Sequence, residues 1–197
     1  MLILLRHGQT TSNVQQALDT QLPGAALTTL GEKQAREVGP EIMDQYGPSS
    51  VVTSEALRAR QTGSLAFSTY FNEIPAVAGL QEIAAGHHEM QSSEEAHIAY
   101  HTVVHKFFAG DTKASIPGGE NLPQFLARYQ SGVSELLERD SVVVTHGSAI
   151  RTFAARAASI DPAFALMNPL QNCRFVVLDP QDDFGKWKLV RWGEKKY

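Results

Sequence analysis

Leu2-Ile3-Leu4-Leu5-Arg6-His7-Gly8-Gln9-Thr10 is the stretch on which the reading of this chain turns. Four apolar residues in succession, with no alternation, describe a strand buried on both faces, as in a parallel sheet. The run gives way at Arg6 and His7 to Gly8, Gln9, Thr10, Thr11, Ser12 and Asn13, so a buried strand empties into a polar loop. The pattern returns later, where Val142-Val143-Val144 leads into Thr145-His146-Gly147. In open α/β sheets, ligands bind in the crevice beyond the carboxyl ends of the strands. The residues after Leu5 and after Val144 are therefore the candidate site. Both places carry a histidine followed by glycine, and glycine lets a ligand approach the backbone closely.

Outward from these two strands, helical and extended segments alternate. Ala35, Val38 and Ile42 share one face of a helix over about 32–46, which Gly47-Pro48 stops. Val51-Val52 reads as a strand, and Ser54 as the N-cap of a helix running to about 70. A third strand is expected at 74–77 and a helix at about 92–109, bounded by Gly110-Asp111. Leu122, Phe125, Leu126, Tyr129, Val133, Leu136 and Leu137 keep three-four helical spacing. A helix over 148–158 and strands near 174–178 and 186–192 complete the chain. Such alternation predicts an α/β fold, a three-layer αβα sandwich with a mostly parallel central sheet. No repeat, low-complexity tract or linker interrupts it. One domain over 1–197 is expected, with a helical insertion at about 83–117 covering the site.

The 197 residues are 43% hydrophobic, which suits a globular domain with a sizeable core. The formal net charge of -4 comes without any basic stripe, so no nucleic-acid footprint is expected. A local pair of arginines can still hold a small anion on a mildly acidic protein. Cys173 is the only cysteine, which excludes an internal disulfide and points to a reducing compartment. The amino-terminal apolar run is too short for a signal peptide, and no run reaches the length of a membrane span. The expectation is a cytoplasmic protein that binds no membrane.

Six segments, in order, carry a resemblance. They are Leu5-Arg6-His7-Gly8-Gln9-Thr10 with Asn13; Leu27-Thr28-Thr29-Leu30-Gly31 with Gln34-Ala35; and Ser54 with Leu57-Arg58-Ala59-Arg60-Gln61-Thr62. Then come Leu80-Gln81-Glu82 with Gly86, Gly118-Gly119-Glu120, and Val144-Thr145-His146-Gly147. Each is modestly specific alone. Together, over about residues 2–155, the chain resembles the histidine phosphatase (phosphoglycerate mutase-like) superfamily, and its phosphatase branch in particular. The resemblance implies that fold, phosphomonoester hydrolysis through a phosphohistidine on His7, a small phosphorylated substrate, and neither metal nor cofactor.

The chemistry of the matched residues agrees. A phosphomonoester is a dianion, and Arg6 and Arg58 offer planar, bidentate donors to it. His7 must be neutral to attack phosphorus, and flanking arginines disfavour a further positive charge. The resemblance makes His146 a donor to the phosphoryl oxygens and Glu82 the acid that protonates the leaving oxygen and then activates water. Gly8, Gln9, Asn13, Thr28 and Gly147 are candidate lining residues, and Ser148 offers a hydroxyl or an amide at a helix start.

Other chemistries lack their parts. There is no Walker-type phosphate loop. Cys173-Arg174 does not place an arginine a short loop after a nucleophilic cysteine, and Cys173 reads as a packed strand residue. His97, His101 and His105 recur at four-residue steps and share a helix face. That face reads as a polar outer surface; two alternatives are a metal chelate and a wall overhanging the pocket. His88-Glu89 has Ser92 where a zinc-protease helix needs a second histidine.

Mutases of the resembled family carry Arg and Tyr after the acid/base Glu, whereas here Ile83, Ala84 and Ala85 follow Glu82. Hydrolysis is preferred on that ground. A cofactor-dependent mutase and a non-catalytic phospho-ligand binder stand as alternatives. Asn121 departs from the Ser usual after Gly-Gly-Glu, and Ala26 from the Pro common before Leu27. Nothing in the sequence reports the oligomeric state.

Overall fold

In the computed structural model, which describes residues 1–197, Leu2, Ile3, Leu4 and Leu5 are all 0% exposed. They form β1 (Leu2–Arg6), followed by α1 (Thr11–Val14), α2 (Thr29–Tyr46), β2 (Ser50–Ser54), α3 (Leu57–Phe67) and β3 (Ala76–Val77). After these come α4 (Glu94–Phe108), α5 (Leu122–Val133), β4 (Ser141–Thr145), α6 (Gly147–Ala157) and α7 (Pro162–Met167). The chain closes with β5 (Phe175–Asp179), β6 (Lys188–Trp192) and β7 (Lys195–Lys196). Short 3-10 turns lie at Gly86–His88 and Ser134–Leu136.

The seven strands form one sheet in the order β3-β2-β4-β1-β5-β6-β7. The pairings from β3 to β1 are parallel and those from β1 to β7 antiparallel, so the sheet is mixed. The parallel half carries the helical crossovers. The antiparallel half arises because β5, β6 and β7 follow one another through short connections, which can only reverse the chain.

Alternate residues of each central strand feed opposite cores. Leu2, Leu4, Val52, Val143, Val176 and Leu178 pack beneath α4, α5 and α6. Ile3, Leu5, Val51, Val142, Val144, Phe175 and Val177 pack beneath α2 and α3. This is the expected three-layer α/β sandwich, and it explains why β1 is apolar without alternation. Each buried leucine or isoleucine contributes about 1.5–3 kcal/mol by leaving water. No helix is long and apolar enough to cross a membrane.

Local chemistry sets the helix ends. Thr28 caps α2 by accepting from the Gly31 amide, and Gly47 ends it at φ 53°. Ser93 caps α4, with Glu94 and Glu95 in its first turn and Lys106 in its last, matching the helix dipole. Asn121 and Gln124 form a reciprocal capping box on α5, so Asn does there what Ser would do.

Two local expectations need correction. Ser54 is not a helix cap: it ends β2, and α3 starts after Ala56 with no side-chain cap. Cys173 is buried but not in a strand. It sits in a left-handed turn before β5 at φ 53°, its amide donating to the carbonyls of Arg6 and His7.

Candidate active site

Register brings the two histidines together. β1 and β4 pair in parallel with Arg6 opposite Thr145, so the next residues, His7 and His146, emerge side by side. Their ring centroids lie 5.2 Å apart, edge to face. β2 pairs with the far edge of β4, which brings Ser54 to the same end of the sheet. The pocket above these strand ends encloses about 710 Å³ and is lined by Arg6, His7, Gln9, Asn13, Arg58, Glu82, His146 and Ser148 among others.

His7 is 5% exposed, and its Nδ1 lies 2.8 Å from the Gly8 carbonyl oxygen. A carbonyl only accepts, so Nδ1 carries the proton and Nε2 keeps a free lone pair. Burial, then Arg58 and Arg6, hold the ring's pKa well below the usual imidazole value, so it is neutral at neutral pH.

His146 has no exposure, and both of its nitrogens are engaged. Nδ1 accepts from Arg58 Nε at 3.2 Å, because a guanidinium can only donate. Nε2 therefore carries the proton and donates to Ser54 Oγ at 2.9 Å. Burial, with Arg58 and then His7, keeps this ring neutral too. The expected donor to a phosphoryl oxygen is thus, in this arrangement, a holder of Arg58.

Both arginines retain unspent donors. Arg6 gives Nη1 to the Leu170 carbonyl at 2.5 Å, but its buried Nε has no partner. Arg58 is 2% exposed; its Nη1 lies 3.6 Å from Asp19 Oδ2 and makes no hydrogen bond. Asp19 is itself fixed, Oδ2 accepting from Ser12 Oγ at 2.9 Å and the Ala25 amide at 2.8 Å. Buried donors without acceptors are costly and rare, so two of them beside a neutral histidine mark the place for an anion.

Glu82 faces the same space from the loop after β3. Its Oε1 accepts from the Ile83 amide at 2.9 Å and the Ala149 amide at 2.7 Å, and its Oε2 from the Ser148 amide at 3.0 Å. The carboxylate thus sits on the first turn of α6, where the helix dipole favours it. The Ser148 amide is occupied by Glu82, while the residue itself lines the pocket.

The loop bearing Glu82 is clamped from behind. Arg128 donates to the carbonyls of Gly79, Gln81 and Glu82 at 2.7, 2.9 and 2.9 Å. It also grips the Glu120 carboxylate through Nε at 2.8 Å and Nη2 at 2.6 Å. Glu120 belongs to the Gly118-Gly119-Glu120 segment, so that segment supports the loop that carries Glu82.

Three other candidates stand behind the pocket. Thr28 bonds Gln9 Oε1 at 2.9 Å while capping α2. Gly8 packs against the start of α2: a Cβ there would lie 2.5 Å from the Gly31 carbonyl oxygen. A Cβ on Gly147 would come within 3.2 Å of Arg6 Nε. These residues shape the wall but are not part of the lining.

The histidine face of α4 is not an outer surface. His97 and His101 line the pocket together with Tyr100, and His97 Nε2 lies 2.6 Å from the Gln16 carbonyl oxygen. The three rings stack at centroid distances of 5.8 and 6.1 Å. No group of three or more His, Cys, Asp or Glu side chains is arranged to hold a metal ion. Burial pushes the Cys173 thiol up to about 12, so it stays protonated and is no nucleophile.

Sequence reasoning missed Asp19, Gln16, Gln171 and Asn172, all of which line the pocket. Asn172 Nδ2 donates to the His7 carbonyl at 3.0 Å and to Asn13 Oδ1 at 3.2 Å, steadying the loop after β1 from the far end of the chain.

Known proteins resemble this chain over most of its length. The family model described as histidine phosphatase superfamily (branch 1) matches residues 2–195. A metal-independent phosphoserine phosphatase of Arabidopsis thaliana is 27% identical, covering 98% of this chain and 81% of the relative. A probable phosphoglycerate mutase of Erwinia tasmaniensis is 23% identical, covering 96% and 88%. A solved mycobacterial glucosyl-3-phosphoglycerate phosphatase superposes with a TM-score of 0.79 at 24% identity, covering 98% of this chain and 99% of that one; at this identity the likeness speaks for the fold.

Proposed function

Because this chain belongs to the histidine phosphatase superfamily, branch 1, and is an enzyme that hydrolyses phosphomonoesters, we propose that it transfers the phosphoryl group through Nε2 of His7 without a metal ion. The observation that carries this reading is the neutral, Nδ1-protonated His7 between two arginines, each with a buried and unspent donor. The dianion sits between Arg6, anchored on the Leu170 carbonyl, and Arg58, which His146 and Asp19 hold in place. Nε2 of His7 attacks phosphorus as the ester P–O bond breaks.

Glu82 supplies the proton to the leaving oxygen. Oε1 already accepts two amides and Oε2 only one, so Oε2 has the lone pair free for that proton. In the second step water attacks phosphorus, the N–P bond breaks, and Glu82 takes the proton back. Gln9, Asn13 and the Ser148 hydroxyl contact the rest of the substrate. The chain is read as one domain over 1–197, with the segment at about 83–117 as the insertion that walls the pocket. Hydrolysis is preferred to mutase chemistry because Ile83 and Ala85 are fully buried in the core, leaving no anion clamp after Glu82.

The test is hydrolysis of p-nitrophenyl phosphate in EDTA by the native chain and by His7→Ala. Turnover should survive chelation, and radiolabelled phosphate should be trapped on the native protein but not on the variant. Activity retained by His7→Ala, or abolished by EDTA, would overturn the mechanism.

A further inference from the structure

The half of the pocket away from His7 differs in chemistry from the phosphate end. We propose that it selects phosphomonoesters whose remaining part is an uncharged polyhydroxyl group, and that it disfavours substrates carrying a second anion. This deepens the hydrolase reading above and rests on it.

The space of about 710 Å³ extends well past the two arginines, so the group attached to the phosphate is accommodated inside. Only three of the 22 lining residues are hydrophobic, which leaves little for an acyl chain or an aromatic ring to pack on. Its outer part is built from Gln16, Ser92, His97, His101 and Gln171. Amides, a hydroxyl and the neutral imidazole of His101 each offer a donor and an acceptor, as hydroxyl groups require. Burial, with the neighbouring His105 and His97, lowers His101 to about 4, so it brings no charge at neutral pH.

The charges point the same way. Arg6 and Arg58 are the only Arg or Lys residues in the lining, and both serve the phosphate. Asp19 faces Arg58, and Glu82 is bonded to the start of α6. Glu94, on the first turn of α4, lines the pocket with neither a hydrogen-bond nor an ion-pair partner for its carboxylate. A second carboxylate or phosphate on the substrate would find no cation there and would face Glu94 instead.

Glycerol 3-phosphate and 3-phosphoglycerate form a matched pair, differing by a hydroxymethyl group against a carboxylate. The native chain should favour glycerol 3-phosphate in kcat/KM by about tenfold or more, the ratio expected of one unfavourable charge contact. Glu94→Lys, a substitution at an exposed position, should move that ratio by about tenfold towards 3-phosphoglycerate. A native preference for 3-phosphoglycerate, or a ratio that Glu94→Lys leaves unchanged, would overturn the proposal. p-Nitrophenyl phosphate in the same assay separates the two levels. If it is turned over without any preference for the polyol phosphate, this inference alone fails. If none of the three is turned over, the hydrolase reading fails with it.

Discussion

His7 and His146 occupy matching positions on adjacent strands, yet their hydrogen bonds give them different work. Nδ1 of His7 is spent on a carbonyl, which frees Nε2, whereas both nitrogens of His146 are spent on Arg58 and Ser54. Arg58→Met removes at least one charge-assisted donor, worth about 1.5–3 kcal/mol, so kcat/KM on p-nitrophenyl phosphate should fall by at least roughly tenfold to a hundredfold. Ser54→Ala removes the acceptor that holds the His146 ring and should cost between about twofold and tenfold, the range of a neutral hydrogen bond. No loss in Ser54→Ala would mean that the His146 orientation is irrelevant to turnover. Arg6, His7, Arg58, Glu82 and His146 were legible in the sequence because each lies in a motif next to a strand or helix start. Asp19 and Asn172 were not, since each reaches the site from a loop whose local sequence is unremarked.

Helix α4 shows why a polar face is ambiguous. His97 and His101 recur at helical spacing beside the buried Tyr100, Val104 and Phe107, a polar stripe that ordinarily describes a solvent-facing side. A water-filled polar pocket is indistinguishable from bulk solvent in that pattern, so the overhang emerges only on folding. Ser54 was misread for a related reason: serine before a helix favours a cap, but β2 continues through it to pair with β3. Among the loops, Arg128 has the largest leverage, because it holds three carbonyls of the segment ending in Glu82. Arg128→Met should lower kcat more than it raises KM. The loss should be larger on an alkyl phosphate, whose leaving oxygen needs the proton, than on p-nitrophenyl phosphate, whose leaving group does not. Equal losses on both substrates would assign Arg128 to general stability instead. Gly8→Ala drives a Cβ onto the Gly31 backbone, where nothing flexible can yield. It should destabilise the fold by about 1–3 kcal/mol, read as a lower urea midpoint.

Across the whole molecule, the buried histidines couple stability to pH. His7 and His146 fold with pKa values well below 6.5, so the unfolded chain binds more protons than the native one below that value. Stability therefore rises with pH up to about 6.5 and is lost as pH falls through that point. Each fully buried neutral ring contributes a slope of up to about 1.4 kcal/mol per pH unit. The thermal midpoint should drop clearly between about pH 7 and about pH 5. A midpoint that does not move would show that these rings charge without cost in the folded state.

What the sequence determined by itself was the layered α/β plan and the residues at the strand ends that floor the pocket. An uninterrupted apolar run such as Leu2–Leu5 has few solutions other than a central strand, and residues at strand ends inherit their position from the sheet. What only the tertiary structure decided was everything set by non-local pairing. The parallel register of β1 and β4 placed His7 beside His146, and the antiparallel return of β5 through β7 made the sheet mixed. The folding of α4 over the strand ends turned a polar stripe into a pocket wall. Hydrophobic periodicity records which side of an element leaves water, but not what that side meets, and the substrate-facing half of this protein is built from polar sides.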